Sequence, residues 1–139
     1  MINNKLRELI KGNVVTVGVN TPLIQIIEVM EENHINHIPV LGEDDMIAGI
    51  LSKHDIYRNL LRLSMNTTGK TYSEKSMAAI TAEEIMTLDV VELSPESTVK
   101  EAAEILMEGE FHACPIVENY KVIGIVTSKD IMTYLTSTT

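Results

Sequence analysis

Ser52 and Asp55 in GILSKHD, residues 49 to 55, stand three apart, and Thr127 and Asp130 repeat the pattern in GIVTSKD, residues 124 to 130. Each pair introduces an apolar helical pattern. A hydroxyl there lies beside backbone N–H groups that lack intrahelical acceptors, at the helix end whose dipole favours negative charge, an environment suited to phosphate. The carboxylate one turn in offers two acceptor oxygens, enough for the adjacent hydroxyl donors of a ribose. Gly49, with no Cβ, lets a backbone or a flat ring approach closely. Lys53, His54 and Lys129 add cationic character nearby. The same Ser/Thr-x-x-Asp spacing also spells an ordinary capping box, in which the acid bonds back to the N–H of the cap. The residues leave both readings open.

The doubling extends well beyond these turns. Displacing the chain by 76 residues puts Val14-Val15 on Val90-Val91, Glu28 on Glu104 and Pro39 on Pro115, after which the offset becomes 75 and Gly49 falls on Gly124. The slip lies in a polar, acidic turn, where a change of loop length is tolerated. Each copy reads as helix turn, strand, helix, strand, strand, helix. The β-branched run at residues 14 to 19 predicts a strand. Leu23, Ile26, Ile27 and Met30, and again Val99, Ala102, Ala103 and Leu106, recur at helical spacing. Thr21 before Pro22 suits a helix cap followed by Pro at the first helical position, and Ser97 takes the matching place. Paired apolar runs around Pro39 and Pro115 predict hairpins. The closing helices carry Ile56, Leu60 and Leu63 in one copy, and Ile131 and Leu135 in the other. The division expected is unit 1 at residues 1–63, a polar Ser/Thr-rich connector at 64–80, and unit 2 at 81–139, with Thr81 and Glu84 as a capping box opening the second copy.

Composition narrows the function classes. Apolar residues make up 45% and charged residues 22% of 139, a globular balance with an aliphatic core of Ile, Leu, Val, Ala and Met. Eleven Lys and Arg against twenty Asp and Glu leave a net charge of -9, which opposes nonspecific nucleic-acid binding. No apolar run reaches the roughly 20 residues that span a bilayer. The single Cys114 makes no internal disulfide and no leader-like segment opens the chain, so a cytoplasmic location is expected.

Tandem βαββα units, each with an apolar-Pro strand, a short hairpin and a Gly-apolar-x-Ser/Thr-x-x-Asp turn into a helix, resemble the cystathionine-beta-synthase (CBS) domain pair, or Bateman module. The likeness implies an α+β fold of two pseudo-symmetric units packed through their sheets as one CBS pair, here without an attached effector domain. It implies a regulatory energy-sensing module, not an enzyme, that holds an adenosine-containing ligand in the cleft between the units and signals to an effector protein. AMP, ADP, ATP and S-adenosylmethionine are the ligand types. The alternative is a structural or oligomerisation module with no physiological ligand. Carried onto this sequence, the nucleotide-binding positions are Ile50, Ser52, His54 and Asp55 in the first copy and Ile125, Thr127, Lys129 and Asp130 in the second. His37 and His112, just before the apolar-Pro strands, are the candidates for a phosphate. A homodimer forming a four-unit disc is the assembly implied, with neither nucleic acid nor membrane as partner and no bound cofactor. In the first lead-in, Ile10-Lys11 departs from the family's pattern, which Met86-Thr87 follows in the second.

Three further features are expected to be structural. His34 and His37 have a spacing that can suit a metal on a helix, but Pro39 drives Ile38 toward an extended conformation and breaks the helical register. Cys114 reads as a small core residue, without a positioned base to make it a nucleophile. Arg58 and Arg62, four apart and opposite the apolar stripe, read as a solvated helix face.

Overall fold

The computed structural model describes residues 1–65, 79–109 and 112–137, so residues 66–78 of the connector lie outside the described part. In chain order the elements are a 3₁₀ turn Leu6–Leu9, β1 Val17–Gly18, α1 Leu23–Asn33, β2 His37–Leu41, β3 Ile47–Ser52, α2 Lys53–Met65, α3 Ala82–Ile85, α4 Val99–Met107, β4 Ala113–Glu118, β5 Lys121–Thr127 and α5 Ser128–Ser137.

The chain folds into two compact units whose composition does not follow the sequence repeats. One joins Met1–Val14 to Val90–Thr139, and the other is Val15–Asp89. The lead-in of each repeat is therefore packed with the body of the other. In the unit Val15–Asp89, β1 pairs parallel with β2 and β2 antiparallel with β3. Leu23, Ile26 and Met30 of α1, Ile38 and Val40 of β2, Leu51 of β3 and Ile56 of α2 form its core, and Ala82 from the second lead-in joins them. In the other unit β4 and β5 form an antiparallel hairpin, and Leu93 adds a single parallel bridge to Ile116. Its core is Leu93, Val99, Ala102, Leu106, Cys114, Ile116, Val126 and Ile131, with Leu6 contributed by the first lead-in.

The two exchanged segments make the same backbone connections. Leu23 N–H donates to Ile80 O at 2.9 Å, Ala82 N–H to Thr21 O at 2.9 Å and Glu83 N–H to Val19 O at 3.0 Å. One repeat later, Val99 N–H donates to Asn4 O at 2.9 Å, Leu6 N–H to Ser97 O at 2.8 Å and Arg7 N–H to Pro95 O at 3.0 Å. Each exchanged carbonyl thus satisfies an N–H at the start of a helix, where no intrahelical acceptor exists. The first lead-in is also tied by charge: Glu96 accepts from Lys5 at 2.6 Å and from Arg7 at 2.9 Å, and Arg7 donates to Glu118 at 2.6 Å. These hydrogen bonds hold the Glu96 carboxyl below the usual carboxylate range, chiefly through Lys5 and then Arg7. The groups are solvated, so the pairs fix register more than they add stability.

Several helix starts differ from expectation by one residue. Thr21 does not cap α1; its Oγ1 accepts from Gly18 N–H at 3.1 Å, turning the chain at the end of β1 and limiting that strand to two residues. Ser97 does the same with Ser94 N–H at 3.0 Å. The caps are Pro22, which has no side-chain acceptor, and Thr98, which forms a capping box with Glu101. Thr81 is the N-cap of α3, but its side chain makes no cap hydrogen bond with the following turn. The offset change between repeats is explained by the hairpins. Asn119 and Tyr120, both at positive φ, make a two-residue turn, whereas Glu43–Asp45 inserts a short 3₁₀ turn between β2 and β3.

Candidate functional site

In the unit Val15–Asp89, the candidate residues converge where β3 runs into α2. Antiparallel register sets His37 directly opposite Ser52 and Pro39 opposite Ile50, so these four share one face of the ladder. Ile38, Val40 and Leu51, on the other face, are fully buried in the core. Ser52 is the last residue of β3, and its Oγ accepts from Asp55 N–H at 2.9 Å. That contact uses one lone pair and leaves the hydroxyl proton able to donate. Asp55 does not return the bond to Ser52. Its carboxylate instead takes a hydrogen bond from the Arg58 guanidinium, one turn further along α2. The Asp55 side chain is 23% exposed and that of Arg58 56%. An ion pair this solvated contributes about 1 kcal/mol or less, so an incoming hydrogen-bond donor displaces it at little cost. His54, in the first turn of α2, is exposed, and Lys53 N–H donates to Asn36 O at 2.8 Å.

What Gly49 admits is backbone. A Cβ there would stand 2.7 Å from Thr87 O and 2.9 Å from Cγ and Sδ of Met86. Beside it, Ile50 and Thr87 exchange both main-chain hydrogen bonds, Ile50 N–H to Thr87 O at 3.1 Å and Thr87 N–H to Ile50 O at 2.9 Å. The second lead-in is thereby laid along β3, two residues before Ser52.

The second copy repeats the elements with different chemistry. Thr127 Oγ1 accepts from Asp130 N–H at 3.1 Å and Thr127 N–H donates to Asp130 Oδ2 at 2.9 Å, a closed capping box. Asp130 and Lys129 are exposed. Opposite Thr127 in the ladder stands Ala113, and Ile125 faces Pro115. His112 precedes the strand and is exposed, so it is not brought opposite Thr127 as His37 is brought opposite Ser52. The counterpart of Arg58 is Thr133. Gly124 packs against Ile10, whose Cγ1 would lie 3.2 Å from an added Cβ.

A family model for the CBS domain matches residues 6–62 and again residues 82–137. The chain belongs to the CBS domain family. It is 24% identical over 137 residues to the uncharacterized protein MJ1225 of Methanocaldococcus jannaschii, covering 98% of this chain and 44% of that protein. It is 27% identical over 130 residues to homoserine O-acetyltransferase of Methanosalsum zhilinae, covering 93% of this chain and 23% of the enzyme. The chain thus spans less than half the length of either relative. Among solved structures, the CBS domain pair of protein MJ0100 in complex with 5'-methylthioadenosine and S-adenosyl-L-methionine is similar with a TM-score of 0.78 at 25% identity, over 95% of this chain and 99% of that one.

Within this CBS pair, three participants escaped the sequence reading. Arg58 reads as a solvated residue, yet it holds Asp55; the i, i+3 spacing on one helix face is the signal that could have revealed the pair. Met86 and Thr87 occupy the space beside Gly49 across a long sequence separation that no local pattern encodes. The two histidines of HINH are separated as Pro39 requires: His34 closes α1 in a left-handed conformation with φ 55°, and His37 opens β2. Among the described residues, no group of three or more His, Cys, Asp and Glu side chains could hold a metal ion, and no helix is long and apolar enough to cross a membrane.

Cys114 lies in the core of its unit, and burial pushes its thiol above the usual range. A thiol that is both inaccessible and protonated is a poor nucleophile. Ellman's reagent at pH 8 is expected to leave Cys114 untouched in the folded protein and to titrate one thiol in 6 M guanidinium. Rapid reaction of the native protein would mean that β4 is open to solvent.

Proposed function

We propose that this CBS pair is a regulatory module that binds an adenosine-containing ligand at the β3–α2 junction, with Asp55 taking the ribose hydroxyls and Ser52 and His37 facing its 5' substituent. The observation that carries this reading is the arrangement around Asp55. Its carboxylate is not folded back on its own helix cap, and it lies one turn from a hydroxyl whose cross-strand neighbour is a histidine. The adenosine ligands in the similar MJ0100 domain pair support the same ligand class. The match to homoserine O-acetyltransferase covers only 23% of that enzyme, which supports a role beside catalysis rather than in it. Ile50 would border the base or sugar, with Lys53 supplying positive charge at the helix mouth.

At Thr127, Ile125, Lys129, Asp130 and His112 the same ligand class would bind more weakly. There the closed box of Thr127 and Asp130 favours the purely structural reading of the motif. Signalling through a homodimer to an effector protein completes the proposal. Exposed Tyr57 and Leu61 on α2, 49% and 63% accessible, offer apolar area for such association.

Thermal unfolding of the full chain with AMP, ADP, ATP, S-adenosylmethionine and 5'-methylthioadenosine tests it. A ligand present at about 100 times its dissociation constant adds about 2.7 kcal/mol, a rise of several degrees for a chain of this size. Asp55→Ala is expected to abolish the rise while the unliganded protein stays folded. A flat response to all five ligands removes the reading and leaves association as the role.

A further inference from the structure

If the proposed site at Asp55 is taken as read, the Asp55–Arg58 pair carries a statement about ligand charge. We infer that Arg58 selects for a ligand carrying a 5'-phosphate and against one carrying a 5'-sulfonium cation, so that this site favours a nucleoside phosphate over S-adenosylmethionine.

The selectivity is electrostatic. Arg58 already hydrogen-bonds Asp55, so any hydroxyl that bonds the same carboxylate comes within a few ångströms of the guanidinium. Side chains of a helix lean toward its N-terminus, which brings the Arg58 head back toward the mouth where Ser52 stands. With the pair intact, the acid is neutralised locally, and the helix N-terminus and Lys53 set a field that attracts an anion. A ribose that displaces the guanidinium from Asp55 releases a planar, multidentate donor suited to phosphate oxygens. A sulfonium ligand would bring its positive charge to the same place. The partial exposure of both side chains lets Arg58 exchange partners without repacking the core. Thr133 and the self-capped Asp130 give the second copy no such cation, so the selectivity belongs to the first copy alone.

Calorimetric titration of the full chain with AMP and separately with S-adenosylmethionine, for wild type, Arg58→Ala and Arg58→Lys, tests the inference. Wild type is expected to prefer AMP. In Arg58→Ala, Asp55 keeps its charge without the guanidinium, so AMP binding should weaken, S-adenosylmethionine binding should strengthen, and the affinity ratio should move about tenfold toward the sulfonium. Arg58→Lys, which keeps the charge and loses the fork, should stay nearer wild type in that ratio. A merely structural Arg58 would change both affinities in the same sense and leave the ratio fixed, which overturns the inference with the site intact. A wild type that prefers S-adenosylmethionine overturns it as well. Absence of binding by either ligand to wild type overturns the site itself, and this inference with it.

Discussion

Gly49→Ala is expected to destabilise the protein by about 3 kcal/mol, because the added methyl meets backbone first and the Met86 side chain beside it. Its Cβ would lie 2.7 Å from Thr87 O and 2.9 Å from Met86 Cγ and Sδ. Thr87 cannot retreat without breaking its two main-chain hydrogen bonds to Ile50, and at buried Ile50 an N–H or C=O left unpaired costs about 1–3 kcal/mol. Gly124→Ala is the matched control. Its nearest neighbour is Cγ1 of Ile10 at 3.2 Å, a side-chain atom that can move by tenths of an ångström, so a loss of about 1 kcal/mol or less is expected. Urea unfolding of both variants separates the cases. Equal losses would mean that the second lead-in is not clamped on β3. The consequence extends to the candidate site, since the displaced segment is bridged to Ile50, two residues from Ser52. Gly49→Ala should therefore weaken any ligand held at Ser52 and Asp55 even below its melting temperature.

The contrast between Gly49 and Gly124 also marks what the sequence could say. Helices α1 and α4 were legible because Leu23, Ile26 and Met30, and Val99, Ala102 and Leu106, recur with the helical period, and all six are buried. The hairpins were legible from apolar runs broken by turn residues, and the left-handed residues Asp44, Asp45, Asn119 and Tyr120 fall in those turns. Spacing puts the caps one residue early, since Thr21 and Ser97 spend their hydroxyls on the preceding turn, a local competition that spacing does not resolve. The exchange of lead-ins was not legible at all. Leu6 and Ala82 occupy equivalent places in the repeat, so the pattern fits either partner equally, and only the three-dimensional path decides. At the candidate site, the hydroxyl and acid were legible as a pair but their partners were not. His37 stands two residues before Pro39 and His112 three before Pro115, a one-residue difference that the repeat alignment already carries; the first enters the ladder opposite Ser52, the other stops a residue short of it.

Leu6→Ala tests the exchange from the other side. Leu6 belongs to the first repeat, yet it is fully buried among Val99, Ala102, Leu106, Cys114, Ile116, Val126 and Ile131 of the second. Truncating a leucine in such a place removes its transfer free energy and leaves a cavity, for a loss of about 3 kcal/mol within the usual 2–5. Ile2, four residues earlier and 49% exposed, provides the comparison: Ile2→Ala should cost about 0.5 kcal/mol or less. Hydrogen exchange adds the location. In Leu6→Ala the amides of Val99, which donates to Asn4 O, and of Val117, which donates to Leu93 O, should lose protection before those of β2 and β3. If Leu6→Ala proves as mild as Ile2→Ala, or if β2 and β3 are the strands that loosen, the first lead-in is not part of the second repeat's core. A large loss confined to β4, β5 and α4 would instead establish that the second repeat is completed by the first. By the equivalent exchange in the other unit, the candidate site at Ser52 and Asp55 could not be built from the first repeat alone, because Thr87, bridged to Ile50 beside Ser52, comes from the second.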